Sequence, residues 1–315
     1  MKVDYLRLSI TDRCNLRCSY CMPPEGVTPR THEEILSHEE LAAFARIAAG
    51  CGVSKVRVTG GEPLVRRDCA ELVGMLARTS GIRDISLTTN GILLPMYASA
   101  LRQQGLRRVN ISLDSLDPQR FARLTRGGRL DAALAGLESA FDAGLAPVKV
   151  NVLLLEGIED ELDDFVELTR ERDVHVRFIE FMPLDRRLTG EGHDRWLVPA
   201  PLALGRLQAA HRLVPDCGPY GHGPAKYWRV PGAAGSVGFV AGVSDHFCEG
   251  CNRLRLTADG RMRTCLFSGD EVNIRPFIDR PDALRRLIRA AVTDKRYDRF
   301  RETLTNDRAM SEIGG

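Results

Sequence analysis

Six of the nine cysteines in this 315-residue chain fall into two spaced groups, Cys14-x3-Cys18-x2-Cys21 and Cys248-x2-Cys251-x13-Cys265. Thiolates are soft ligands for zinc or for iron–sulfur clusters, and a compact loop lets three of them reach one centre while its backbone donates to sulfur. Three ligands from one motif would leave one iron of a cubane open. For zinc, each group is one ligand short of a closed tetrahedral site, and near the second group only His246 could supply the fourth. On ligand chemistry alone both metals stay open. Cys51, Cys69 and Cys217 stand apart and read as small buried or incidental thiols.

Basic and acidic residues nearly cancel over the whole chain: 44 Lys and Arg stand against 42 Asp and Glu, a formal charge of +2. That argues against a nucleic-acid binder driven by bulk electrostatics, while local arginine clusters could still hold a phosphorylated small molecule. Hydrophobic residues at 43% and charged residues at 27% are ordinary for a globular protein. The charged opening Met1-Lys2-Val3-Asp4-Tyr5 lacks a secretory apolar core, and no apolar run is long enough for a membrane span. The expectation is a cytoplasmic protein. In a reducing compartment cysteine spacing speaks of metal or redox chemistry rather than disulfides.

The elements that must position these cysteines alternate up to about Pro183. Leu6–Ile10, Val56–Thr59, Ile85–Thr88, Val109–Leu113, Val148–Leu154 and Val174–Phe181 read as strands. Between them, stretches such as Ser37–Ala49 and Asp68–Arg78 show helical spacing, the first opening Ser-x-x-Glu like a capping box. Long connections between strands favour helical crossovers and a parallel sheet, hence an incomplete (β/α)6 TIM-like barrel over residues 1–183. Residues 184–315 read as an irregular C-terminal extension carrying the second cysteine group. A strand pair is expected around Leu254–Met262, turned by Asp259-Gly260, and Val272–Val292 is expected to be mainly helical.

The first cysteine group, with Tyr20 before its last cysteine and Gly60-Gly61-Glu62-Pro63 about 40 residues later at a strand end, resembles the radical S-adenosylmethionine (SAM) superfamily. Glycines there would allow backbone to approach a ligand closely. The second group is part of a longer string, Phe247-Cys-x2-Cys-Asn-Arg-Leu-Arg-Leu-Thr-x-Asp-Gly and then Cys265-Leu266, in a chain that ends Gly314-Gly315. That combination resembles the GTP 3',8-cyclase (MoaA-type) family of molybdenum cofactor biosynthesis over essentially the whole chain.

The resemblance implies two 4Fe-4S clusters, one on Cys14, Cys18 and Cys21 with SAM on its open iron, the other on Cys248, Cys251 and Cys265 with GTP between the two. It implies SAM contacts at Tyr20, Gly61, Ser112 and Met182. It implies GTP contacts at Arg7, Arg57, Thr88, Lys149, Arg253, Leu254 and Arg255, and a tail, Gly314 and Gly315, that reaches into the active site. The implied reaction is SAM cleavage to a radical that takes hydrogen from C3' of the GTP ribose, after which that carbon adds to guanine C8. A flavodoxin- or ferredoxin-type electron donor and a downstream cyclic pyranopterin monophosphate synthase are the implied partners, a homodimer is admitted, and neither a membrane nor a nucleic acid is expected.

Residue chemistry agrees with that assignment, because arginine offers a fixed fork of donors to triphosphate oxygens and barrel strands carry sites at their C-terminal ends. Arg66, Arg67 and Arg177 are weaker phosphate candidates on the same grounds, and Asn151 is placed to meet a ribose. Two alternatives remain from the sequence: a radical-SAM peptide-modifying enzyme, and a non-catalytic iron–sulfur or zinc scaffold. Only an enzyme would make 5'-deoxyadenosine, and only the cyclase a cyclic product from GTP.

Overall fold

Alternating apolar and polar residues build the first six strands, β1 (Tyr5–Ser9), β2 (Lys55–Thr59), β3 (Asp84–Thr89), β4 (Arg108–Ser112), β5 (Val148–Leu154) and β6 (Val174–Glu180). A computed structural model of the chain describes residues 3–182, 197–219, 223–245, 247–293, 295 and 308–314. Between the strands lie α1 (His38–Ala49), α2 (Cys69–Ala77), α3 (Leu94–Gln103), α4 (Pro118–Thr125), α5 (Leu130–Asp142) and α6 (Leu162–Glu171). The capping box at Ser37 is formed: its hydroxyl accepts from the Glu40 N–H at 3.2 Å, and the Glu40 carboxylate accepts from the Ser37 N–H at 2.7 Å. Leu6, Leu8, Val56, Val58, Val150 and Phe178 pack with helix residues such as Phe44, Leu72 and Phe165 in one apolar layer. Each such side chain contributes about 1.5–3 kcal/mol by leaving water. The alternate residues, among them Arg7, Arg57, Thr88, Lys149 and Arg177, face the other way, into the cavity described below.

After α6 come α7 (Ala200–Ala210), β7 (Val214–Asp216), β8 (Lys226–Arg229), β9 (Ser236–Val240), β10 (Arg253–Leu256), β11 (Arg261–Arg263), β12 (Val272–Asn273), α8 (Pro281–Thr293) and the short α9 (Met310–Ile313). The twelve strands among the described residues form one sheet, ordered β12-β11-β10-β1-β2-β3-β4-β5-β6-β9-β8-β7. From β10 through β1–β6 to β9, every neighbouring pair is parallel, and the outer pairs are antiparallel.

The expected irregularity of the C-terminal region gives way to six strands that extend the sheet at both edges. The Asp259-Gly260 turn does join an antiparallel pair, β10 and β11. Val272–Asn273, expected to begin a helix, is strand, and the helix begins at Pro281. Glycine misled the reading. A Cβ on Gly235 would lie 1.9 Å from the Val174 carbonyl oxygen, and one on Gly238 would lie 2.6 Å from the Tyr227 ring, so close packing of strands rather than a loop demands glycine there.

Candidate active site

The first thiol set lies on the loop after β1, and four backbone bonds hold that loop. Gly61 N–H donates to the Thr11 carbonyl and Glu62 N–H to the Arg13 carbonyl, both at 2.8 Å, while Arg17 and Ser19 N–H groups donate to the Thr125 and Leu124 carbonyls at 3.2 and 2.9 Å. A Cβ on Gly61 would stand 2.4 Å from the Arg13 oxygen. Close approach at Gly61 is therefore to the cysteine loop itself. The Glu62 carboxylate, 1% exposed, accepts from Leu64 N–H at 3.0 Å, the Thr89 hydroxyl at 2.8 Å and Asn90 N–H at 2.7 Å. Burial raises its pKa to about 7 even though these three donors oppose the shift.

Burial also raises all three thiols of this set, Cys21 to about 12, and the neighbouring thiols reinforce Cys18 and Cys21. Sulfurs close enough to repel one another fit a thiolate-bound cluster. Leu16 N–H donates to the Cys14 sulfur at 3.4 Å, and the backbone of Ser311 offsets part of the rise at Cys21. Tyr20 donates its hydroxyl to Asp114, which also accepts from Leu153 N–H at 2.8 Å.

The second set repeats the local backbone. Cys251 N–H donates to the Cys248 carbonyl at 3.0 Å, as Cys21 N–H does to Cys18 at 2.9 Å, and Phe267 N–H lies 3.4 Å from the Cys265 sulfur. Its electrostatics differ. Burial alone would raise Cys251, but Arg253 and Lys295 outweigh it and bring the thiol to about 7. Lys295 Nζ is 3.4 Å from that sulfur and 2.6 Å from the Arg253 carbonyl oxygen. His246 lies outside the described residues. Among the described residues no group of three or more His, Cys, Asp or Glu is arranged around a single metal ion. A cubane asks less convergence, since its ligands bind separate irons.

A cavity of about 360 Å³ opens beside the second set and reaches Tyr20 on the first loop, although Cys14, Cys18 and Cys21 do not line it. Of the residues expected to meet SAM, Tyr20, Ser112 and Met182 line it; of those expected to meet GTP, Arg7, Arg57, Thr88, Lys149, Arg253 and Arg255 do. Cys248, Cys251 and Cys265 open onto it, as do Asn151, Arg177 and the exposed Cys217. Gly61 and Leu254 do not line it, and Leu254 is 1% exposed in the apolar layer. Gly314, in the left-handed region at φ +81°, passes over Ser9 and Thr59, and its carbonyl accepts from Arg255 Nη1 at 3.3 Å. Gly315 lies outside the described residues.

Strand register stacks the cations in rows: Arg7 pairs with Arg57 and Arg255, and Lys149 stands beside Asn110 and His175. Burial, then the charges of Arg177, Arg108 and Arg57, lowers Lys149 to about 6. Burial takes Arg57 to about 10 and, with Arg253, takes Arg255 to about 9. Such depression marks a shortage of anions that a bound polyanion would relieve. Tyr5 Oη, Thr88 Oγ1 and Arg177 Nε are buried with no hydrogen-bond partner among the described residues, as expected of polar atoms that await a ligand.

Several residues were missed from sequence. Arg108, ion-paired to Asp84, follows the same period of two as Asn110 and could have been found by extending the alternation. Lys55, Asp114 and Tyr227 also line the cavity. Lys295 carried no local signal. Arg66, a phosphate candidate, instead donates to the Ile10 and Leu36 carbonyls at 2.6 and 2.7 Å, and Arg67 is exposed.

The family model of the radical SAM superfamily matches residues 8–169, and that of the molybdenum cofactor synthesis C region matches residues 174–300. The GTP 3',8-cyclase of Pelotomaculum thermopropionicum is 48% identical over 321 residues, covering 100% of this chain and 98% of its own. That of Moorella thermoacetica is 46% identical with the same coverage, and that of Listeria monocytogenes serovar 1/2a is 44% identical over 99% of this chain and 96% of its own. Among solved structures, Streptococcus suis SuiB bound to S-adenosylmethionine superposes with a TM-score of 0.60 at 15% identity, over 94% of this chain. The match spans 65% of SuiB, under two thirds of its length, and speaks for the fold alone.

Proposed function

We propose a reaction course from the premise that the chain belongs to the radical SAM superfamily and, within it, to the GTP 3',8-cyclase family. It cyclises GTP to 3',8-cyclo-7,8-dihydro-GTP, a step of molybdenum cofactor biosynthesis. Cys14, Cys18 and Cys21 would hold a 4Fe-4S cluster that, with SAM, would supply the radical chemistry for joining C3' to guanine C8, with one electron from the external donor and one proton needed to reach the dihydro product.

Everything else is the work of this chain's own residues. Arg7, Arg57, Lys149, Arg253 and Arg255 hold the triphosphate by charge-assisted bonds, Thr88 adds a hydroxyl, and Leu254 backs Arg253 and Arg255 from the apolar side. Tyr20, Ser112 and Met182 bound the SAM side, and Gly61 fixes the loop they face. Cys248, Cys251 and Cys265 are read as ligands of a second 4Fe-4S cluster that holds the guanine end. Gly314 enters beside Arg255, and the Gly314-Gly315 tail is read as part of the active site. Residues 1–183 are read as the partial (β/α)6 barrel and 184–315 as the region that completes the site.

The observation that carries this reading is the group of buried cations, Arg57, Lys149 and Arg255, that lines one cavity together with the second thiol set. No helix among the described residues is long and apolar enough to cross a membrane. A cytoplasmic site of action, a flavodoxin- or ferredoxin-type donor and a downstream pyranopterin monophosphate synthase complete the proposal. Anaerobically reconstituted protein given SAM, reductant and GTP should yield 5'-deoxyadenosine and the cyclic nucleotide, and ATP in place of GTP should give no cyclic product. A cyclic product from ATP, or none from GTP, would overturn it.

A further inference from the structure

Three segments distant in sequence meet beside the first thiol set. Arg308 grips Asp259 with both guanidinium ends, at 3.1 and 3.0 Å, and reaches Glu271 at 3.0 Å. Arg30 lies 3.5 Å from both Asp259 and Glu312, and its backbone N–H donates to the Asp12 carboxylate at 3.0 Å. Asp259, in the turn between β10 and β11, is further fixed by the Thr257 hydroxyl at 2.6 Å. The Asp259 side chain is 8% exposed and Arg308 18%, so water screens this network little.

Just beyond Arg308 the chain enters α9, where Ser311 is 1% exposed. Three residues on, the Gly314 carbonyl accepts from Arg255 in the cation rows at 3.3 Å, and Gly314 packs against Ser9 and Thr59. The intervening turn is fixed by the Gly314 N–H to Met310 carbonyl bond at 3.0 Å and by the Glu312 carboxylate on the Ala309 N–H at 2.9 Å.

We propose that Arg308 and Asp259 are positioning residues, an ion-pair latch that seats the tail against the arginine rows of the nucleotide site. This rests on the reading of the tail as part of the active site. Without the latch, α9 is a single turn too short to stay folded by itself.

The test compares reconstituted holoenzyme with Arg308→Ala, Arg308→Lys, Asp259→Asn and a chain lacking Gly314 and Gly315. Hydrogen exchange in the C-terminal peptide should quicken by about tenfold or more in Arg308→Ala and Asp259→Asn, and less in Arg308→Lys, since breaking a partly buried pair leaves the partner charge uncompensated. Cyclisation kcat should fall in the same order with little change in the KM for GTP. Unchanged exchange in both Arg308→Ala and Asp259→Asn would overturn the latch, and quickened exchange with unchanged kcat would overturn its positioning role. If Arg308→Ala fails to fold, Asp259→Asn decides alone. Full cyclisation by the chain without its two glycines would sink the tail's catalytic reading instead, while leaving exchange to judge the latch.

Discussion

Burial raises Cys14, Cys18 and Cys21, whereas Cys251 in the second set is brought down to about 7 by Arg253 and Lys295. The local backbone is nonetheless shared, down to the N–H two residues after Cys14 and after Cys265 that meets the sulfur at 3.4 Å. Each set also hangs from a buried glutamate at a strand end. Glu62 follows β2, and Glu180, fully buried at the end of β6, accepts from Ala200, Val243 and Ser244 N–H groups at 2.7–2.9 Å on the approach to Cys248. One backbone solution therefore serves two electrostatic purposes. Neutral donors and desolvation suit a site whose charge is set by what it binds, and cations suit a site that must also hold an anion.

Removing thiols should separate the two purposes most sharply. Cys18→Ala is expected to abolish formation of 5'-deoxyadenosine, whereas joint replacement of Cys248, Cys251 and Cys265 by Ala should keep SAM cleavage and lose cyclisation. Iron should fall from about eight per chain to about half in the triple variant, as two thiolate-bound cubanes require. Full iron retention, or zinc in its place, would break the comparison.

Next in size is the arginine pair of β10. Arg253→Ala with Arg255→Ala should weaken GTP binding by about 100-fold or more, because charge-assisted donors are lost from a buried site. SAM binding should be unaffected. Equilibrium dialysis with each ligand decides, and equal weakening of both would place these cations at the wrong set.

The glutamate clamps give a smaller, stability-based contrast. Glu62→Ala leaves three donors without an acceptor and should cost about 2–4 kcal/mol in urea unfolding. Glu180→Ala should cost a similar amount. After reconstitution the first should deplete the SAM-responsive EPR signal and the second the other signal; loss of both signals in either variant would mean that the sets are not independently supported.

The sequence made β5 legible to the residue, Val148–Leu154, and the other five early strands to within a residue or two, because each alternates a core residue with a cavity residue. The thiol sets were legible because three cysteines in a short loop have few other uses. What stayed hidden depends on distance or on brevity. Lys295 reaches Cys251 from 44 positions away, and no periodicity announces it. β8 and β9 are four and five residues long, and packing puts Gly235 just before β9 and Gly238 inside it, so they read as loop. Arg66 shows the converse: a cation at a strand end that satisfies two backbone carbonyls rather than a ligand.

Lys149 offers the finest division between the cation rows and the first thiol set, through protons rather than mutations of ligands. At a pKa of about 6 in the free protein it is mostly neutral at pH 7, and beside a triphosphate its charged form is favoured. Between that value and the higher value in the complex, GTP binding must take up a proton. Affinity should therefore be fully developed at or below pH 6 and decline as pH rises, by at most about tenfold per unit. The nucleotide's terminal phosphate, which loses its last proton near about pH 6, works in the opposite direction, so the raw slope is not decisive. The Lys149→Met difference is. Calorimetry at pH 7.5 in two buffers of unequal ionisation enthalpy should show up to about one more proton taken up by the wild-type chain than by Lys149→Met. SAM binding, on the far side of the cavity, should show no such difference. Equal uptake by the two chains would mean that Lys149 does not meet the triphosphate, and would leave Arg57, Arg253 and Arg255 to neutralise it.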